Sequence, residues 1–275
     1  MSFTTADVVK LRKATSAGMM DCKNALSEAE GDFDRAVEII REKGKLIANK
    51  RADRDAAEGV VLSKITEDKK FGALLVLNCE TDFVAKNADF VAFADKILNS
   101  ALAQKAENLE VLKGLSLDGK TIGDLVTEQT GVIGEKIELS YFSKVSAETA
   151  IAYIHPGNKL ATLVGFNKGD VENQVARDVA MQVAAMAPVA IDKDAIPQGT
   201  IEKEIEIAKE KFRQEGKPEA MLDKIAQGSL NKWYKDVTLL NQIYVKDGKI
   251  TIKDFLKQND KELTVTAFDR FTLNV

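Results

Sequence analysis

The stretch Ala73-Leu74-Leu75-Val76-Leu77-Asn78-Cys79-Glu80-Thr81-Asp82-Phe83-Val84-Ala85-Lys86-Asn87 joins two segments of different hydrophobic period. Residues 73–77 are continuously apolar, as in a strand buried on both faces. Beyond Asn87, the residues Phe90, Ala94, Ile97, Leu98 and Ala101 recur at helical spacing. An acid and a large aromatic, Asp82 and Phe83, therefore fall on a strand-to-helix connection. Connections held by rigid elements are where functional residues concentrate. On spacing alone, Asp82 caps a first helical turn and Phe83 packs down near Phe90.

Working outward, residues 59–65 and 72–78 flank a polar turn at Asp68-Lys69 and predict an antiparallel hairpin. The pattern then returns. Residues 137–142 alternate like a strand, and 149–154 and 160–166 flank a turn at His155-Pro156-Gly157-Asn158. A helix follows from Val171 through Val175, Val179 and Val183 to a stop at Ala187-Pro188. Between the two copies, 115–134 is helical in part, with Thr121 as a cap before Ile122 and Leu125. Hairpin then helix occurs twice, which predicts an internal duplication over 58–100 and 137–188. Neither half covers both faces of its sheet, so the expected class is α+β.

Before the first hairpin, 5–45 contains three short helical patterns: Val8, Val9 and Leu11; Met20, Ala25, Leu26 and Ala29; and Ala36, Val37, Ile39 and Ile40. Gly31 ends the second and Gly44 stops the third. The first loop is Ser16-Ala17-Gly18-Met19-Met20. Adjacent methionines cannot both face one core, so either one is an exposed adaptable contact or Met20 is core and Met19 covers it. Residues 45–57 carry many charges and no sustained apolar face, as in a solvated, partly helical connector.

After the second helix, Ile201, Ile205, Ala208 and Phe212, then Met221, Leu222, Ile225 and Leu230, give a narrow seam on a charged surface. Gly216-Lys217-Pro218 breaks it. This predicts a protruding antiparallel coiled-coil hairpin over 200–235. Strands are expected at 242–245 and 263–268, with a short segment at 251–257 between them. The expected division is 1–45 for the three-helix unit, 46–57 for the connector, 58–136 for the first core half and 137–275 for the second.

Acids exceed bases 43 to 39 over 275 residues, a net charge of -4 that supplies no global field for nucleic acid. The cysteines, Cys22 and Cys79, sit in unrelated contexts without a CxxC pair, which fits a reducing compartment. The first residues lack the apolar core of a secretory signal, and no window is apolar enough to span a bilayer. A cytoplasmic protein is expected, with no membrane and no direct nucleic-acid partner. The single histidine, His155, has no nucleophile placed by a recognisable motif. Phosphate-loop and dinucleotide fingerprints are absent, as is metal-ligand spacing, so neither an enzyme nor a cofactor is expected.

Thr81-Asp82-Phe83-Val84-Ala85-Lys86 resembles the central signature of the bacterial elongation factor Ts family. Leu11-Arg12-Lys13-Ala14-Thr15-Ser16-Ala17-Gly18-Met19-Met20-Asp21-Cys22-Lys23-Asn24-Ala25-Leu26 resembles its N-terminal signature. The resemblance implies a guanine nucleotide exchange factor for the GTPase elongation factor Tu, with a ubiquitin-associated-like three-helix head. It implies partner contacts at Thr81, Asp82, Phe83, Val84, Ala85 and Lys86, with Asp82 and Phe83 entering near the Mg2+ site. Ile133 and Gly134, His155, and Met19, Met20 and Lys23 match further contact positions. From the residues themselves, Ile133 also reads as core, Gly134 as a turn and His155 as a hairpin tip. The family turn has His-Gly where this chain has His155-Pro156-Gly157. The competing expectation is a non-catalytic adaptor that binds partners through the head.

Overall fold

In a computed structural model the chain is described over residues 3–15 and 17–273; Ser16 of the first loop lies outside them. Two compact units are present, one from the stretches up to Leu62 and Leu75–Ser143, the other from Ser63–Leu74 and Lys144–Thr272.

The first unit begins with helices α1 (Thr5–Thr15), α2 (Met19–Glu28) and α3 (Phe33–Lys50). Val8, Leu11, Cys22, Ala25, Leu26, Ala36 and Ile39 form their common core. Gly31, at φ 94°, ends α2 by donating its N–H to the Leu26 carbonyl at 2.8 Å. Asp32 caps α3 by accepting from the Arg35 N–H at 3.0 Å. The expected stop at Gly44 does not occur: α3 runs through it to Lys50. The reason is packing. Helix α7 (Ile122–Ile133) lies against α3, and a Cβ added at Gly131 would come within 2.3 Å of the Gly44 Cα. Gly131 is the residue the close approach requires, and Gly44 presents the backbone that it approaches rather than a chain reversal.

Strands β1 (Glu58–Ile65) and β2 (Phe71–Cys79) form the expected hairpin, and β5 (Glu138–Ser146) is hydrogen-bonded on the far side of β2. All nine residues of β2 are buried, as its unbroken apolar run requires. The strand pattern near 137–142, grouped in sequence with the second half, thus joins the first hairpin's sheet. A four-residue helix α4 (Asp82–Ala85) follows β2, and α5 (Ala88–Ala103) buries Phe90, Ala94, Ile97, Leu98 and Ala101. A short helix α6 (Leu109–Gly114) and the two-residue strands β3 (Ser116–Leu117) and β4 (Lys120–Thr121) lead to α7, capped by Thr121.

The second unit contains β6 (Thr149–Ile154), β7 (Leu160–Phe166) and β8 (Val265–Thr272) as an antiparallel sheet with β7 central. Helix α8 (Asn173–Met186) covers it through Val175, Val179 and Val183. Helices α9 (Gln198–Gln214) and α10 (Glu219–Val237) pack on each other. They bury Ala208, Leu222, Ala226 and Leu230, while Met221, placed in the seam from sequence, is exposed. Residues 242–245 do not form the expected strand. They keep only an isolated antiparallel bridge, the Tyr244 N–H donating to the Ile250 carbonyl at 2.9 Å and the Ile252 N–H to the Gln242 carbonyl at 3.0 Å. The buried amide of Gln182 takes the other edge, accepting from the Val245 N–H at 3.0 Å and donating to the Ile243 carbonyl at 3.1 Å. Helix α11 (Ile252–Asn259) then leads into β8.

The two glycines give opposite expectations. A Cβ at Gly44 would meet only ordinary contact, 3.5 Å from the Gly131 Cα. Gly44→Ala should therefore be neutral or stabilise α3 by about 0.5–1 kcal/mol. Gly131→Ala forces the two backbones apart and should cost about 1–3 kcal/mol. Chemical denaturation followed by circular dichroism gives both values, and the reverse ranking would contradict the close approach.

Candidate functional site

The site is built on the short α4. A helix of one turn has too few hydrogen bonds to hold itself, so its geometry comes from its neighbours. Thr81, not Asp82, is the cap: its hydroxyl accepts from the Val84 N–H at 3.4 Å. That hydroxyl also donates to Glu135 Oε1 at 2.7 Å, and the Thr81 N–H donates to Glu135 Oε2 at 3.0 Å. In return, Glu80 Oε1 accepts from the Lys136 N–H at 2.6 Å. Arg51, just past the end of α3, donates from Nη1 to both Glu80 oxygens at 2.7 and 2.9 Å. Two consecutive residues on one segment thus clasp two on the other, each through a carboxylate on a backbone N–H.

The electrostatics follow from these contacts. The Lys136 N–H, then the Arg51 guanidinium, hold the Glu80 carboxyl below the usual carboxylate range. Burial, reinforced by the Glu135 and Glu58 carboxylates, pushes the Cys79 thiol up to about 12. Burial also raises the Cys22 thiol. Both shifts favour the neutral thiol over the thiolate. Among the described residues, no group of three or more His, Cys, Asp and Glu side chains is placed to hold a metal.

On this frame Phe83 is 83% exposed. The expectation that it packs down near Phe90 is overturned: Phe90 is buried on α5, while Phe83 stands in solvent. Asp82 is half-buried and its carboxylate meets Lys86 Nζ at 2.6 Å, an i,i+4 pair that raises the lysine's pKa. Ala85 is buried and seats the helix. Val84 and Ile133 line one groove, together with Phe90, Phe93, Gln129 and Val132. Gly134 ends α7 at φ 79°, a left-handed conformation, and donates to the Thr130 carbonyl at 2.9 Å.

On α2, Met20 is 64% exposed and Met19 38%. Lys23 is exposed as well. The expectation that Met20 is core therefore fails, because Cys22, Ala25 and Leu26 occupy the inner face. In the second unit, His155 is exposed between β6 and β7, with Nδ1 2.9 Å from the Tyr153 hydroxyl. Arg177 lies over the Tyr153 ring at 5.5 Å. Glu80, Glu135 and Arg51 were not among the residues singled out from sequence. The signal present was the acid flanking each motif, Glu80 before Thr81 and Glu135 after Gly134.

The arrangement offers a projecting aromatic on a braced turn. Comparison with known proteins places the chain in context. Residues 80–275 match the family model described as elongation factor TS. The chain is 53% identical over 275 residues to elongation factor Ts of Porphyromonas gingivalis, covering all of this chain and 99% of that protein. It is 52% identical over 275 residues to that of Azobacteroides pseudotrichonymphae, covering 100% of both. The protein of that name from Christiangramia forsetii is 52% identical over 271 residues, covering 98% of each chain.

Glu80→Gln tests the clasp through pH. A carboxyl held below its ordinary value of 4.5 contributes stability that is present above that value and lost as pH falls through the depressed one. The variant should be less stable than the parent by on the order of 1 kcal/mol near neutral pH. The gap should narrow as the solution is acidified below about pH 4.5. Urea titrations across that range measure it, and a gap constant with pH would contradict the assignment.

Proposed function

The chain belongs to the elongation factor Ts family, and on that premise we propose that it is the guanine nucleotide exchange factor of elongation factor Tu, acting by protein–protein binding in the cytoplasm. Release of GDP needs no reactive group. A GTPase holds its nucleotide through backbone amides on the phosphates and a bridging Mg2+. A factor that binds the empty form more tightly than the loaded form shifts that equilibrium, and the bound nucleotide weakens the factor by the same ratio.

The observation that carries this reading is the exposure of Phe83, 83% of its surface, on a turn braced from behind. Phe83 is the most exposed large hydrophobic side chain among the described residues, and a stiff aromatic loses little entropy on insertion into a partner. Phe83 is the wedge, and Asp82 delivers a carboxylate beside it, its charge balanced in the free protein by Lys86. Thr81 and Ala85 position the turn; Val84, Ile133 and Gly134 form the adjoining surface. His155 is a contact from the second unit. Met19, Met20 and Lys23 on α2 form a contact on the three-helix head, which we read as ubiquitin-associated-like over 1–45. The α9–α10 pair is the coiled-coil arm. The partner is the GTPase, with neither nucleic acid nor membrane engaged directly.

Stimulated release of labelled GDP from purified elongation factor Tu is the test. Phe83→Ala should lower the release rate by about 10- to 30-fold, the scale of an interface hot spot. Its unfolding free energy should stay within about 0.5 kcal/mol of the parent, because the side chain is exposed. A full release rate in the variant would remove Phe83 as the wedge. The exposed methionines favour a second reading, an adaptor working through the head; binding of the parent without any acceleration would establish it instead.

A further inference from the structure

We propose that Glu135 is a positioning residue of the exchange wedge: by gripping both donors of Thr81, it fixes α4 in the orientation from which Phe83 projects. The proposal rests on the exchange reading above and adds to it a residue outside every contact surface named so far.

Three observations converge on Glu135. Its two carboxylate oxygens are both engaged by one residue, Oε1 by the Thr81 hydroxyl at 2.7 Å and Oε2 by the Thr81 N–H at 3.0 Å. A two-point attachment fixes direction as well as distance, where a single hydrogen bond leaves rotation free. Next, the hydroxyl so fixed is the one that caps α4 at the Val84 N–H. Anchoring Thr81 therefore sets the start of the helix two residues before Phe83. Finally, Glu135 directly follows Gly134, the left-handed end of α7, and precedes Lys136, whose N–H is held by Glu80. The carboxylate is thus delivered from a helix terminus braced on both sides.

Alternative roles for Glu135 fit less well. It is half-buried and turned onto the chain's own backbone, so it is not presented to a partner. A role confined to stability would make no distinction between local order in α4 and the whole fold. The clasp makes one. Without it the protein stays folded through the cores of its units, while α4 samples directions and the wedge is seldom aligned.

The experiment compares the full-length parent with Glu135→Ala and Glu135→Gln. Each is titrated against a fixed, limiting amount of elongation factor Tu carrying labelled GDP. With the GTPase limiting, a merely structural defect reduces the active fraction of the factor. That raises the half-saturating concentration and leaves the release rate at saturation unchanged. A misdirected wedge lowers the rate at saturation itself. Glu135→Ala should lower that rate by about tenfold, since small misplacements cost large factors in rate. Glu135→Gln keeps an oxygen for the Thr81 N–H and should recover most of the loss. An unchanged saturating rate in Glu135→Ala overturns the proposal. If Glu135→Ala does not fold, Thr81→Val removes the hydroxyl arm alone; an unchanged saturating rate there overturns it equally. A second readout needs no GTPase. Amide hydrogen exchange at Val84 and Lys86 should accelerate by about tenfold in Glu135→Ala, with amides of β2 unaffected. Equal exchange in parent and variant also overturns the proposal. A parent that fails to release GDP, but loses α4 protection in the variant, refutes the exchange reading and leaves the clasp standing.

Discussion

Two backbone N–H groups, those of Thr81 and Lys136, need acceptors at the place where strand β2 ends and helix α7 has just finished. Buried backbone donors left without partners are costly. Here each is met by a carboxylate from the opposite segment, Glu135 for Thr81 and Glu80 for Lys136. Hydrogen bonds to charged acceptors contribute about 1.5–3 kcal/mol each, more than neutral ones. The reciprocity matters as much as the strength. Because the two acids alternate between segments, neither segment can slide along the other without breaking both bonds. A one-turn helix with a large exposed aromatic would be a disordered loop on its own terms; it is a shaped surface because the clasp precedes it.

The same constraint reaches the head. Helix α3 carries the inner wall of the three-helix core at its start and packs on α7 further along, through Gly44 and Gly131. Just past its end Arg51 closes on Glu80. Arg41 reaches toward Glu128 of α7 at 3.6 Å, which supplements the glycine contact. So one helix links the core beneath Met19 and Met20 to the brace behind Phe83. Partly exposed ion pairs such as Arg41–Glu128 contribute little on their own. The backbone approach at the glycines does more to set the geometry, because close-packed helices leave no slack for a change of angle.

Much of this was legible in the sequence, for reasons that can be stated residue by residue. The run at 73–77 demanded a strand buried on both faces, and β2 is one. Phe90 to Ala101 kept the helical period, and all five positions are buried. Gly44 misled because a glycine near a helix end commonly marks a C-cap, whereas its partner, Gly131, lies 87 positions further on and no local pattern points to it. Residues 242–245 misled because their alternation is strand-like while their pairing stops at one bridge, Ile243 with Thr251, with the side chain of Gln182 on the other edge. For Phe83, spacing favoured the core, since nothing in periodicity reports that Phe90 and the residues after it already fill the space. The clasp was hidden for a related cause: Glu80 and Glu135 look like surface acids until the fold brings their segments together.

The turn at His155 illustrates how a proline is absorbed by the backbone. Proline at 156 removes a donor and fixes one torsion. The turn does not use that donor. It closes instead through the His155 N–H to the Leu160 carbonyl at 2.9 Å and the Asn158 N–H to the His155 carbonyl at 3.1 Å. Gly157 and Asn158 take the left-handed torsions, φ 93° and 56°, that reverse the chain. The imidazole is then set by the Tyr153 hydroxyl, and that ring is in turn covered by Arg177. Proline stiffens a loop whose bonds it leaves intact, so the tip has less conformational entropy to lose. In each unit the exposed residue is thus held by a second residue behind it: Phe83 through Thr81 and Glu135, and His155 through Tyr153. Preorganisation of this kind lets a contact discriminate between two states of a partner, because a side chain that yields to fit both states would favour neither.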